Sequence, residues 1–124
     1  MTSTREEFRA RSNNDRDPNR NVCALAVADA LGVARRVRYL HTVTDVVRAV
    51  RAGGYTARSR RSAVRGDTIG SVRAQLAARV GAAYYIVHVA GHVLLLGADG
   101  RTLVDTDPRK NDRRKISRLF GVWK

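Results

Sequence analysis

Residues 84–105 read YYIVHVAGHVLLLGADGRTLVD. The run from Tyr84 to Val89 is β-branched and aromatic, the composition of a strand. Ala90 and Gly91 interrupt it. His92 to Leu96 forms a second strand, and its unbroken apolar run argues for burial on both faces. Gly97, Ala98, Asp99 and Gly100 make a hairpin turn, and Arg101 to Asp105 is the returning strand. Pairing Leu96 with Arg101 across that turn sets His92 opposite Asp105. Residues 108–117 read as a basic loop and residues 119–123 as a last strand.

Upstream of this meander the period changes to that of helices. Residues 22–31 (VCALAVADAL) are nearly apolar all round, so they predict a buried central helix, with Asn21 as N-cap and Gly32 just past its end. Residues 43–52 place Val43, Val46, Val47 and Val50 on one face. Thr42 with Asp45 is a capping box, and Gly53 and Gly54 stop the helix. Residues 69–80 repeat the pattern with Ile69, Val72, Leu76 and Val80, capped by Thr68 and ended by Gly81. Three helices followed by a strand meander predict an α+β fold, with the N-terminal helices packed on one face of a C-terminal antiparallel sheet. Residues 1–20 crowd Ser12, Asn13, Asn14, Asp15, Asp17, Pro18 and Asn19 together and read as an extended polar arm on a single domain spanning 1–124.

Composition narrows the function classes. Aromatics are 6% of the chain, so Val, Leu, Ile and Ala must fill the core. Charges recur throughout and leave no transmembrane run, so no membrane partner is expected. The polar start has no apolar stretch of a secretory signal, making the cytoplasm the default location. A single cysteine excludes an internal disulfide and a cysteine-rich zinc site. The net charge of +13 attracts polyanions, although charge alone also serves solubility.

Cys23 falls at the start of the first helix. A helix N-terminus carries partial positive charge and free N–H groups, which stabilise a thiolate and can bind an oxyanion formed on an attacked carbonyl. The alternative is a small buried core residue. His92 opens a strand after a turn. With Asp105 opposite, one imidazole nitrogen has a carboxylate partner and the other is free to face a thiolate. The alternative is a packing histidine. Asp107, two residues on, is the fallback carboxylate. His88, inside an apolar strand, reads as structural, and His41, before a helix, as a surface residue.

NVCALAVADALG at 21–32, followed by GHVLLLGADGRTLVDTD at 91–107, resembles the papain-like cysteine peptidase superfamily, in particular small phage-encoded papain-like proteins and the C39-like peptidases. Cys23, the Gly91-His92 step and Asp105-Thr106 fill the places of that pattern, and residues 84–89 match the strand leading into its histidine. The resemblance spans about half the chain. It implies a Cys23–His92–Asp105 triad acting through an acyl-enzyme on a peptide or protein substrate, with no metal or cofactor. Such enzymes place a Gln or Asn shortly before the cysteine to complete the oxyanion hole. Here Asp17 stands six residues back, where its charge opposes an oxyanion, leaving Asn19 and Asn21 as candidates.

Three function classes follow: a cysteine hydrolase cleaving a peptide, isopeptide or amide bond; a papain-like fold kept as a binding module without turnover, as in phage–host interaction; and a basic nucleic-acid binder. The last lacks a helix-turn-helix, zinc finger or aromatic reading motif, so its basic clusters at 35–38, 58–65 and 109–118 predict phosphate contacts without sequence readout.

Overall fold

A computed structural model describes residues 21–59, 68–77, 81–107 and 113–124. Helix α1 is Val22–Ala30, followed by a 3₁₀ turn at Ala34–Arg36. Helix α2 is Val43–Ala52, strand β1 Thr56–Ser59 and helix α3 Ile69–Ala77. Strands β2 (Tyr84–Val89), β3 (His92–Gly97), β4 (Thr102–Val104) and β5 (Ile116–Trp123) complete the fold. The strands form one antiparallel sheet in the order β1-β5-β2-β3-β4. The chain is therefore α+β. The predicted arm at 1–20 and the end of the third helix at 78–80 lie outside the described residues.

The caps stand where the residue types place them. Asn21 Oδ1 accepts from the Cys23 N–H, starting α1. Thr42 and Asp45 satisfy each other's backbone N–H groups at the start of α2. Gly32, at φ +71, follows α1 in the left-handed region that a Cβ disfavours. Thr68 Oγ1 accepts from the Ser71 N–H at the start of α3.

The helices do not share one face. Strand side chains alternate, and the two sets bury in two cores. One joins α1 and α2 to Ile86, Val93, Leu95, Phe120 and Val122. The other joins Ile69, Val72 and Leu76 of α3 to Tyr85, Val87, Leu94, Leu96 and Leu119. This corrects the expectation of helices on a single face. A strand apolar at every position, as β3 is, needs cover on both sides, and α3 supplies the second layer.

The hairpin register also differs from the expected pairing. Gly100 takes φ +84, which makes Ala98, Asp99 and Gly100 a three-residue loop with Gly97 N–H donating to the Arg101 carbonyl. Leu96 therefore faces Thr102, not Arg101, and a bulge moves the next pair to Leu95 and Val104. The basic loop expected up to Ser117 ends earlier, because Ile116 already belongs to β5. Within β5 the register against β2 shifts between the pairs His88–Arg118 and Val89–Ile116. The extra residue turns Ile116 into the α3 core while Phe120 stays in the α1–α2 core.

Candidate active site

Three elements converge at one end of the α1–α2 layer. Helix α1 presents Cys23 in its first turn, buried at 8% exposure. The Ala90–Gly91 turn, with Gly91 at φ +68, lets β2 reverse within two residues and start β3 at His92. Asp105 lies one residue beyond β4. His92 Nε2 sits 2.7 Å from Asp105 Oδ1, and Cys23 lies near enough to the same imidazole, on the wall of a shared cleft, to raise its pKa. With Nε2 engaged by the carboxylate, Nδ1 is the ring nitrogen not taken up by Asp105. The structure thus joins Cys23, His92 and Asp105, even though Asp105 is not opposite His92 in the ladder.

The electrostatics bind the three together. The nearby Cys23 side chain raises His92 above its ordinary imidazole value; burial opposes this, and the bond to Asp105 reinforces it. Burial pushes Asp105 up, but the Arg114 guanidinium, the Asp107 N–H and His92 together hold it below the usual carboxylate range. Arg114 Nη2 donates to Asp105 Oδ2 at 2.8 Å and Nη1 to Asp107 Oδ2 at 3.3 Å. Asp107, the fallback carboxylate, is buried on Arg114 and donates its N–H to Asp105 Oδ1. It braces Asp105 through these hydrogen bonds to Asp105 and Arg114.

The oxyanion candidates fare differently. Asn19 lies outside the described residues. Asn21 is committed as a cap: its Oδ1 accepts from the Cys23 N–H at 3.0 Å and from Sγ at 2.9 Å. That bond also occupies the Cys23 N–H, the backbone donor of the cysteine itself. An oxyanion could use that N–H only after the Asn21 side chain turns away.

A cleft of about 370 Å³ opens over the cysteine, lined by residues of α1, the start of α2 and the ends of β2, β3 and β5. His88 and His41 both line it, where the sequence suggested a structural and a surface role. Burial and the nearby Arg118 charge lower His88 below the ordinary imidazole value. Arg114 and Arg118 were also missed. Each sits in a basic stretch whose members are alike in sequence, and only the bulge and the end of β4 single them out. Among the described residues no His, Cys, Asp and Glu side chains group as a metal site, and no helix is long and apolar enough to cross a membrane.

No protein-family model, curated protein or solved structure matches this chain. The functional reading accordingly stands on the geometry of this cleft and on the sequence pattern alone.

Proposed function

We propose that the protein is a papain-like cysteine hydrolase that cleaves a peptide, isopeptide or amide bond through an acyl-enzyme. The observation that carries this reading is the position of His92, hydrogen-bonded to Asp105 on Nε2 and lining one cleft with the only cysteine of the chain, whose proximity raises the imidazole pKa.

The roles follow from proton bookkeeping. His92 takes the Cys23 proton, and the thiolate attacks the carbonyl carbon while the π pair moves to oxygen. The tetrahedral intermediate collapses, the C–N bond breaks, and the imidazolium gives its proton to the leaving amine. Water then attacks the thioester with His92 as base, and collapse expels the thiolate. Asp105 keeps the ring oriented and stabilises the imidazolium without taking its proton.

A second reading is a papain-like fold used for binding without turnover. The hydrogen bond from the Cys23 N–H to Asn21 favours it, because the nearest oxyanion donor is occupied at rest. The net charge of +13 adds weak, sequence-independent affinity for polyanions, which counterion release would weaken steeply as salt rises.

Alkylation by iodoacetamide, followed by mass spectrometry across pH, tests the hydrolase reading. Cys23 should react faster at mildly acidic pH than a cysteine in an unstructured peptide, and His92→Ala should remove that low-pH reactivity. A rate that follows an ordinary thiol in both proteins defeats the reading. Reactivity without any thioester on incubation with activated esters supports the binding module instead.

A further inference from the structure

The triad leaves unexplained the charge of the cleft around it. His41, His88 and Arg118 line the cleft beside Cys23 and His92, and among the described residues no aspartate or glutamate does. The ion pairs of the described residues are Arg48 with Asp45, His92 with Asp105, Arg101 with Asp99, and Arg114 with Asp105 and Asp107. Arg118 takes part in none of them. Its guanidinium lies 4.7 Å over the Phe120 ring and spends one donor, Nη1, on Thr44 Oγ1 at 3.2 Å. A guanidinium has five donors in a planar fork, so most of this one remains for a ligand.

Two features hold Arg118 in that position. The β5 irregularity beside it gives Ile116 to the α3 core while Arg118 stays on the α2 side of the sheet. Bulges of this kind often re-aim a side chain next to a site. Stacking on Phe120 and the bond to Thr44 then fix the guanidinium plane. Directly across the ladder, His88 carries a buried Nδ1 with no hydrogen-bond partner among the described residues. Burial and the Arg118 charge disfavour its protonation, so Arg118 is the fixed cation of that wall.

We infer that the cleft takes a substrate with a carboxylate beside the bond attacked by Cys23, and that Arg118 receives that carboxylate. The inference rests on the reading of Cys23 as the nucleophile. At about 370 Å³ the cleft is near the lower end of ligand-binding cavities, so a ligand filling it touches both Cys23 and Arg118. A planar fork fits a carboxylate in two parallel hydrogen bonds. The carboxylate is either an acidic side chain or a free C-terminus, since both present the same two oxygens.

Iodoacetate and iodoacetamide test this on the whole protein. Both form the same kind of S–C bond and expel iodide, and they differ in one negative charge. The ratio of their rates at Cys23, relative to a cysteine in an unstructured peptide, should favour iodoacetate by about threefold or more, the upper range for one solvated charge pair. Arg118→Gln should abolish the preference and Arg118→Lys should keep part of it, each read as the ratio of the two rates within one variant, so that a change in Cys23's own reactivity cancels. Short peptides then serve as competitors of alkylation. Protection by an amidated peptide ending in Glu, but not in Gln, assigns a side-chain carboxylate. Protection by a Gln peptide with a free C-terminus assigns the terminal one. A ratio indifferent to Arg118→Gln and Arg118→Lys, with no protection by either peptide, overturns the inference. Slow iodoacetamide alkylation of the unmodified protein defeats the nucleophile reading itself.

Discussion

Asp105 is gripped from two sides: Oδ1 meets His92 Nε2 at 2.7 Å, while Oδ2 receives Arg114 Nη2 at 2.8 Å. The carboxylate side chain is 3% exposed and that of Arg114 13% exposed, so little water reaches the pair. Arg114 holds the same carboxylate whose other oxygen meets His92. On the hydrolase reading proposed above it is a positioning residue.

Arg114→Gln should therefore leave Asp105 buried with a weaker partner. Removing one member of a buried pair costs about 3 kcal/mol. Because Arg114 helps hold Asp105 below the usual range, Asp105 contributes stability above about pH 4 that is lost as pH falls through its lowered folded value. Without Arg114 the acid unfolding midpoint should move upward, and Cys23 alkylation should slow. Arg114→Lys should restore part of both. Circular dichroism during acid titration measures the first effect, and an unmoved midpoint contradicts this role.

Asp105 and Asp107 share Arg114 but not His92. Asp105→Asn should cut low-pH alkylation of Cys23 by at least about tenfold, since losing the orienting carboxylate of a related triad costs orders of magnitude in rate. Asp107→Asn should lower thermal stability and leave most of the reactivity. Equal losses in the two folded variants would return Asp107 to the role of orienting carboxylate.

The contact between His92 and Asp105 was legible in the sequence, but the path to it was not. Equal strand lengths across a four-residue turn predicted a direct ladder pair. Gly100 in the left-handed region and the bulge near Leu103 shift that register, and Asp105 instead reaches His92 from beyond the strand end. Helix α2 matched at both ends because a capping box and a Gly pair define its limits locally. Strand β1 carried no signal: of Thr56–Ser59 only Ala57 is buried, and its pairing with β5 is long-range. The side of the sheet that α3 covers is likewise a tertiary choice, since an amphipathic stripe shows that a face is buried and not against what.

His88 and His92 shift in opposite directions, and stability should record both. His88 is lowered, so the unfolded chain binds its proton more readily, and stability falls as pH drops below about 6.5. His92 is raised, so its contribution is full below about 6.5 and is lost as pH climbs through its raised folded value. These two groups place a stability maximum near pH 6.5. In melting temperature against pH, His92→Ala should flatten the alkaline limb and His88→Gln the limb just below 6.5. A profile unchanged by His92→Ala would show that the imidazole gains nothing from Cys23 and Asp105.

Asn21 sets the cap of α1 against the chemistry at Cys23. Its Oδ1 takes the Cys23 N–H, which starts the helix, and also sits 2.9 Å from sulfur. Alkylation needs no oxyanion donor, but acylation does, so the resting site should alkylate quickly and acylate slowly. Glycine serves nearly as well as asparagine at an N-cap, within a few tenths of a kcal/mol, and the extended backbone at Asn21 (φ −95, ψ 144) accommodates it. Asn21→Gly should therefore keep the fold while freeing the Cys23 N–H. One oxyanion donor is worth about a hundredfold or more in rate, so thioester formation from an activated ester should rise even as iodoacetamide reactivity stays within a few fold. Stopped-flow acylation of the two proteins measures this directly. If Asn21→Gly acylates more slowly than the parent, the asparagine side chain itself assists acylation, its Nδ2 donating to the oxyanion while Oδ1 keeps the cap.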